Sequence, residues 1–174
     1  MDNFDVWWQF VQLPNNDGNA NDSTNDGAGA THWGWTYPTW RVAQLYGGCV
    51  ATDVATFSAL TQDQAMRLAL VWFWDRQFAP SMLPGVAISI IDWTWTSGGA
   101  AAEIQSAIGA GLTGVLDQQT IATLNTFTPA TLIAKVYGLR TAYYNDLGYQ
   151  AKYPGLYRRA LDCQALSNIY AGVT

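Results

Sequence analysis

The sequence predicts a mostly helical α+β fold with one small β-hairpin near the N-terminus. Three observations predict it. Apolar side chains recur at helical spacing along most of the chain, helix-capping residues precede several of these segments, and the residues that favour turns and strands are concentrated in positions 14–36. The chain has 174 residues, of which 49% are hydrophobic, so it is long and apolar enough for one folded domain with a substantial core.

The first helix is predicted over residues 2–13. Apolar residues at positions 4, 7, 8 and 11 follow the i, i+3, i+4, i+7 spacing of a helix with one buried face. Asp2 is a suitable N-cap and Pro14 a suitable end. The following segment, 14–36, is rich in Asn, Asp and Gly until residues 31–37 become aromatic and β-prone, which predicts a turn-rich loop or a small β-hairpin.

The middle of the chain predicts a short helix over 38–46, an irregular connection over 47–58 and a longer helix over 65–78. Thr61 and Gln64 form a capping box ahead of that longer helix, and Pro80 and Pro84 follow its end. Residues 85–95 are an apolar run whose pattern fits either a helix or a buried strand.

The remaining residues predict helices to the end of the chain. A short helix is expected over 100–108, a second over 118–126 behind Asp117 as N-cap, and a last one over 155–170. Thr128 and Pro129 are an N-cap and a first helical residue, and they open a long helix. Its predicted apolar stripe consists of Leu132, Val136, Leu139, Tyr143 and Leu147.

Composition excludes several classes of function. The net charge is −5 and no basic cluster exceeds two residues, so nucleic acid is not an expected partner, and electrostatic capture of anionic lipid is not expected either. No run approaches 18 consecutive apolar residues, so we expect no stable membrane insertion. Cys49 and Cys163 are predicted to be buried free thiols, and one histidine, His32, is a poor basis for a metal site, so we expect no cofactor.

Several motifs resemble glycoside hydrolase family 108, the lysozyme-like N-acetylmuramidases that include many phage endolysins. Asp17-Gly18, Asp26-Gly-Ala-Gly-Ala-Thr31 and Gly34-Trp-Thr36 are similar to the family's acidic-Gly-Gly, Asp-Pro-Gly-Gly-x-Thr and Gly-Ile-Thr. Further motifs follow in the family's order over nearly the whole chain: Leu60–Ala65, Trp72–Asp75, Ile91–Gly98, Ile104–Gly109, Thr113–Thr120 and Tyr153–Arg159.

This resemblance implies a lysozyme-like fold. It implies a single domain, 1–174, with an N-terminal part, 1–84, that carries the active-site corner, and a helical lobe, 85–174, that is similar to peptidoglycan-binding regions. The implied activity is hydrolysis of the β-1,4 bond between N-acetylmuramic acid and N-acetylglucosamine, without a cofactor. The implied partner is the glycan strand of peptidoglycan, and we expect the protein to be a monomer.

The resemblance also implies catalytic residues. Asp17 takes the position of the general acid, Asp26 that of a second carboxylate, and Thr31 that of a residue that orients the attacking water. Asp17 stands where the family has Glu, and Glu103 is the only Glu in the chain, so no neighbouring Glu replaces it. An Asp-Gly pair is also a common turn dipeptide and a Thr a common strand residue, so each of these positions has a purely structural interpretation as well.

Five further side chains are predicted to bind substrate: His32, Trp33, Tyr37, Trp93 and Trp95. Aromatic rings stack on sugars, but large aromatic residues also dominate protein cores, and both interpretations stay open for each ring. Trp33, Trp35 and Tyr37 alternate in the sequence, so in a strand we expect at least one ring to face opposite to Trp33 and Trp35, where an exposed ring would stack on sugar.

Three functions are consistent with the sequence. The first is an active N-acetylmuramidase, weakened by Asp17. The second is a catalytically silent relative that binds cell-wall glycan or forms part of a phage particle or effector, and the third is a chitinase-like hydrolase. Residues 1–5 do not begin a secretion signal, so we expect synthesis in the cytoplasm and delivery to the periplasm or cell wall by a holin, a secretion machine or a virion.

Overall fold

The computed structural model describes residues 2–18 and 30–173. Their α-helices are α1 Asn3–Val11, α2 Tyr37–Tyr46, α3 Val54–Ser58, α4 Gln62–Ala69, α5 Val86–Ser97, α6 Ala101–Ile108, α7 Gln118–Leu124, α8 Pro129–Asp146, α9 Tyr149–Lys152 and α10 Pro154–Ala171. Two short strands, β1 Thr31–His32 and β2 Trp35–Thr36, pair antiparallel. The predicted mostly helical α+β fold is confirmed, whereas α3 and α9 are short helices that the sequence did not predict.

The described residues form two compact units. One unit is Trp8–Trp72, which contains the hairpin, α2, α3 and α4. The other, called the helical unit, consists of the described residues before and after that span. The subdivision of a single domain after residue 84 stays a prediction.

Side-chain caps define the helix starts in the unit Trp8–Trp72. The Thr36 hydroxyl accepts from the Thr39 N–H at the start of α2, and the Asp53 carboxylate accepts from the Thr56 N–H at the start of α3. The capping box of Thr61 is present, because its hydroxyl accepts from the Gln64 N–H while the Gln64 side chain accepts from the Thr61 N–H. The predicted cap of the helix expected over 65–78 is therefore confirmed. The helix does not stay an α-helix to residue 78, because Leu70–Asp75 form a π-helix.

The apolar run 85–95 is the helix α5 and not a strand. Every residue from Val86 to Thr94 is buried, so hydrophobicity is nearly uniform around the helix and shows no periodicity to read in the sequence. Gly85 precedes α5 with a φ of +76°, and a β-carbon there would lie 2.2 Å from the Ser167 carbonyl oxygen of α10. Only glycine allows this close approach of the backbones.

Helix α8 buries a different stripe from the one predicted. Its buried residues are Leu132, Ile133, Val136, Arg140 and Tyr144. The predicted stripe was wrong at Leu147, which is 46% exposed. The prediction followed apolar residues only, whereas the buried face continues through the polar side chain of Arg140.

Arg140 is buried because it belongs to an ion cluster centred on Asp92, which is fully buried on α5. Arg140 of α8 donates to one carboxylate oxygen at 2.9 Å, and Arg159 of α10 donates to the other at 2.7 Å. Arg140 also donates through Nε to the Tyr144 hydroxyl at 2.8 Å and through a terminal nitrogen to Thr96 Oγ1 at 3.1 Å. The cluster thereby joins α5, α8 and α10, three helices that also pack on one another.

Burial alone would raise the pKa of the Asp92 carboxyl. The guanidinium groups of Arg159 and Arg140 outweigh that effect, so the pKa of Asp92 is lower than its ordinary value. Asp92 is therefore a charged, structural carboxylate.

The two cysteines differ in burial. Cys163 is buried on α10, and desolvation raises the pKa of its thiol to about 12. Cys49 is partly exposed, so the prediction of two buried thiols is right for Cys163 and wrong for Cys49. Among the helices within residues 2–18 and 30–173, none is both long and apolar enough to span a membrane.

Candidate active site

Asp17 lies in a tight turn directly after α1. Its N–H donates to the Val11 carbonyl at 2.9 Å, and the Gly18 N–H donates to the Leu13 carbonyl at 3.2 Å. The Asn16 side chain adds a bond of 2.7 Å from Nδ2 to the Phe10 carbonyl. Carbonyls at a helix C-terminus lack intrahelical partners, so these three donors satisfy them and hold the turn against the end of α1. Asp17 is partly exposed there.

Gly18 is required in this turn for reasons of space. A β-carbon at this position would lie 2.1 Å from the Gln12 carbonyl oxygen and 2.7 Å from its carbon. These contacts are with backbone, which has little freedom to move away. The backbone that carries Asp17 is therefore fixed in position by the packing of its neighbour.

The hairpin has a two-residue loop. Thr31 pairs with Thr36 and His32 with Trp35, and the two residues between them, Trp33 and Gly34, have φ values of +52° and +79°. Positive φ at both central positions is the type I′ geometry, which suits the twist of two antiparallel strands. Trp33 adopts this conformation although it has a β-carbon, so contacts elsewhere must hold it.

One carbonyl oxygen, that of Leu60, holds the hairpin turn. The Trp33 indole N–H donates to it at 2.9 Å, and His32 Nε2 lies 2.8 Å from it. Since the carbonyl accepts, Nε2 carries a proton. Leu60 directly precedes the capping box of Thr61, so the hairpin is attached to the start of α4.

The other rings of this segment are held in the same way. The Trp35 indole N–H donates to the Ala65 carbonyl at 3.2 Å, and the Tyr37 hydroxyl donates to the Thr52 carbonyl at 2.8 Å. The Tyr37 ring also packs on Phe57 with ring centroids 5.4 Å apart. The polar atoms of four aromatic or imidazole side chains are thus bonded to main chain, and their rings are fixed before any ligand arrives.

Residues 11–98 match the sequence profile of the family Glycosyl hydrolase 108, a span that covers half of the chain. The chain belongs to this family. Family 108 members are glycoside hydrolases that degrade peptidoglycan, so the general class of reaction follows from membership.

A solved structure of SagA from Brucella abortus shares the fold of this family 108 chain. The TM-score is 0.83 and the sequence identity is 22%, with 97% of this chain and 95% of that chain covered. The lysozyme-like α+β fold predicted from the sequence is thereby confirmed. No curated protein matches the sequence.

In this family 108 chain, the predicted hairpin residues fall into two groups. His32 is 7% exposed, and the centroid of its ring lies 5.9 Å from that of Phe57. The His32 side chain therefore mainly makes packing contacts within the unit Trp8–Trp72. Thr31, Trp33 and Tyr37 are partly exposed. The alternating residues 33, 35 and 37 do not lie along one strand, because Trp33 is in the turn and Tyr37 begins α2.

The two predicted tryptophans of α5 belong to the other unit. Trp93 has no exposed surface, and its ring packs on Tyr143 at 6.1 Å, so in this conformation it offers no face to a sugar. Trp95 is half-buried against Phe73 at 4.8 Å and Trp7 at 5.6 Å. The roles assigned to these side chains stay predictions, as does that of Asp26, which lies outside the described residues.

Sequence reasoning missed two features of this family 108 chain. It treated Asp92 and Arg159 as parts of separate motifs, Ile91–Gly98 and Tyr153–Arg159, although the structure joins them in one ion cluster. An Asp within an otherwise apolar run and an Arg within each of two long helices were the available signals. It also missed the contribution of the Leu60 carbonyl, which no residue pattern reveals because every residue has a carbonyl group.

Proposed function

We propose that this chain is an N-acetylmuramidase that hydrolyses the β-1,4 bond between N-acetylmuramic acid and N-acetylglucosamine, with Asp17 as the general acid. The main support is the placement of Asp17: a partly exposed carboxyl group on a rigid turn after the first helix of a family 108 glycoside hydrolase. A fixed backbone limits the motion of a catalytic carboxyl, which is what proton donation at one particular oxygen atom needs.

Asp17 donates its proton to the glycosidic oxygen as the bond to the leaving sugar breaks. Asp26 stabilises the cationic sugar or activates water, and Thr31 orients that water. The half-exposed rings of Trp33 and Tyr37 stack on sugar faces, which is supported by the bonds that hold both rings to main-chain carbonyls.

A second candidate is a silent relative that binds glycan without cutting it, and one observation favours it. An Asp side chain is one methylene shorter than the Glu that the family motif has at this position, and misplacement by about 1 Å can cost on the order of 100-fold in rate. The turn has no freedom to compensate, because the Asp17 N–H is bonded to Val11 and Gly18 is packed against the Gln12 carbonyl.

Release of reducing ends from purified peptidoglycan separates these candidates. We would compare the natural protein with Asp17→Ala, Asp17→Asn and Asp17→Glu. The enzyme hypothesis predicts measurable activity that Asp17→Ala and Asp17→Asn abolish and that Asp17→Glu raises by about 10- to 100-fold, as expected for a carboxyl moved toward its optimal position. Activity that appears only in Asp17→Glu would instead support the silent relative.

The matched control is Asp63→Asn, in the same unit. Asp63 is an exposed carboxylate on α4 that pairs with Arg67 at 3.0 Å, and exposed pairs of this kind contribute little to stability. Its activity should equal that of the natural protein. Full activity in Asp17→Ala would overturn the assignment of Asp17, and release of products from chitin as fast as from peptidoglycan would favour a chitinase-like specificity.

A further inference from the structure

The residues at the start of α4 are bonded to two separate segments of the unit Trp8–Trp72. The Leu60 carbonyl holds the hairpin turn, because the Trp33 indole N–H donates to it at 2.9 Å. Two positions later, Gln62 Nε2 donates to Gln12 Oε1 at 3.0 Å. Gln12 is 50 positions away in the sequence, so this bond connects α4 with the segment that leads from α1 to Asp17.

Gln12 also contacts the turn that carries Asp17. Its N–H donates to the Trp8 carbonyl at 3.0 Å, which fixes it at the end of α1. Its own carbonyl oxygen lies where a β-carbon on Gly18 would be 2.1 Å away. Because the two residues are packed without space between them, a displacement of Gln12 must displace the turn, and Asp17 with it.

Packing alone does not explain the amide of Gln12. Its Nε2 is buried and has no hydrogen-bond partner in the part of the chain that the structure describes. A buried donor without a partner lowers stability, and an apolar side chain of the same length would avoid that cost. The bond from Gln62 lies at the surface, where water competes for the same groups, so its net contribution to stability is small. A positioning role accounts for an amide that stability does not favour.

The proposed reaction depends on the distance between Asp17 and the hairpin. The proton donor must be held at a fixed separation from the group that orients water at the reacting carbon. Asp17 lies on the turn after α1, whereas Thr31 begins the hairpin. Since the start of α4 is bonded to both segments, it sets their separation.

We propose that Gln62 is a positioning residue for the proposed reaction, and that its bond to Gln12 sets the distance between Asp17 and the hairpin. The inference rests on the proposed function, because that distance affects the rate only if Asp17 donates the proton. Loss of the bond should slow the chemical step more than it weakens substrate binding, since the bond that holds the Trp33 ring to Leu60 is retained.

The first test is Gln62→Met, which removes the amide and keeps the length of the side chain. Gln62 is exposed, so the variant should fold and its midpoint of urea unfolding should stay close to that of the natural protein. For reducing-end release from solubilised peptidoglycan strands, kcat should fall about tenfold and KM should stay within about twofold. The matched control is Gln9→Met, which changes an exposed glutamine of α1 and should leave both constants unchanged.

A rescue variant and a double variant test whether the bond itself is responsible. In Gln62→Glu the new carboxylate can accept from Gln12 Nε2 once the Gln12 amide turns over, so most of the lost kcat should return. Gln12→Met should lower kcat as much as Gln62→Met, and combining the two should cause no further loss, as expected for two partners of one bond. Additive losses, or no rescue by Gln62→Glu, would contradict a shared positioning role.

NMR separates this inference from the proposed function. The backbone amide signals of Asp17 and Gly18 should shift in Gln62→Met and not in Gln9→Met, whether or not the protein hydrolyses peptidoglycan. Unchanged signals, or an unchanged kcat in Gln62→Met, would overturn the inference even if hydrolysis is confirmed. Absence of hydrolysis in both the natural protein and Asp17→Glu would overturn the proposed function instead, and the shifts would still show whether Gln62 holds the turn.

Discussion

The unit Trp8–Trp72 and the helical unit each contain an aspartate that is held in position, but the interactions that hold the two residues differ. Asp17 is partly exposed, and its position is set by backbone hydrogen bonds and by the space available to Gly18. Asp92 is fully buried, and its position is set by two guanidinium groups. The Asp17 carboxyl is positioned by its backbone and is partly exposed, whereas a carboxyl bound to two Arg side chains is committed to structure.

The same contrast extends to the neighbouring polar groups. The unit Trp8–Trp72 uses neutral donors, such as the Trp33 and Tyr37 side chains, to bond main-chain carbonyls. The helical unit uses charged groups and binds the Tyr144 hydroxyl into the ion cluster. Neutral bonds of this kind contribute about 0.5–1.5 kcal/mol each, whereas breaking a buried ion pair costs about 3–5 kcal/mol. The two units should therefore respond very differently to substitution.

The largest effect is expected for Asp92→Ala. It would leave Arg140 and Arg159 buried without their carboxylate, so we expect a loss of about 3–5 kcal/mol in the free energy of unfolding. Urea unfolding followed by circular dichroism measures this loss. Asp63→Ala is the control, and a change within about 0.5 kcal/mol is expected there. Equal stability of Asp92→Ala and the natural protein would show that the cluster has no structural role.

A smaller effect is expected for Gly18→Ala. The added methyl group collides with the Gln12 carbonyl, and overpacking of this kind costs about 1–3 kcal/mol. Because the turn must move, hydrolysis of peptidoglycan should fall as well, although Asp17 itself is retained.

Gly111→Ala is the control for that substitution. A β-carbon at Gly111 meets nothing within 4 Å, so its stability and activity should stay close to those of the natural protein. If Gly18→Ala were as stable and as active as Gly111→Ala, the fixed position of Asp17 would be contradicted.

The smallest effect is expected on acidification. The pKa of Asp92 in the folded state is lower than in the unfolded state, so the folded protein binds fewer protons there. Its contribution is complete above the unfolded pKa of about 3.9 and is lost as the pH falls through the lower folded pKa. Urea unfolding between pH 6 and pH 2 should show stability declining below about pH 4.

Asp92→Asn separates this effect from that of other carboxylates. The variant should be less stable at pH 6 and should lose less stability than the natural protein between pH 4 and pH 2. Identical acid profiles for the two proteins would mean that Asp92 does not contribute to the decline.

Local sequence signals predicted most of the helices. The N-caps Asp117 and Thr128 and the capping box of Thr61 all start the expected helices, because a cap acts through atoms within a few residues. Prediction failed where contacts between residues far apart in the sequence determine which side chains are buried. The apolar run 85–95 gave no periodicity because it is buried on all sides, and the stripe of α8 was misplaced because a distant carboxylate stabilises Arg140.

In the candidate site too, local sequence signals indicated some features, and contacts between distant residues determined the others. The family motifs marked Asp17 and Thr31, and the aromatic pattern of the segment suggested His32, Trp33 and Tyr37. All five lie in the unit Trp8–Trp72. The burial of His32 and its bond to the Leu60 carbonyl were beyond the sequence, since the two residues are 28 positions apart and one partner is main chain. Trp93 and Trp95 alternate in sequence, but only the packing of α5 leaves one fully buried and the other half-buried.

The sequence by itself determined the helical α+β class, most helix starts and the family, because capping and motif signals are written in neighbouring residues. Only the tertiary structure decided which aspartate is held by charge and which by backbone. That difference arises from partners far apart in sequence: two Arg side chains on other helices for Asp92, and the space beside one carbonyl oxygen for the turn that carries Asp17.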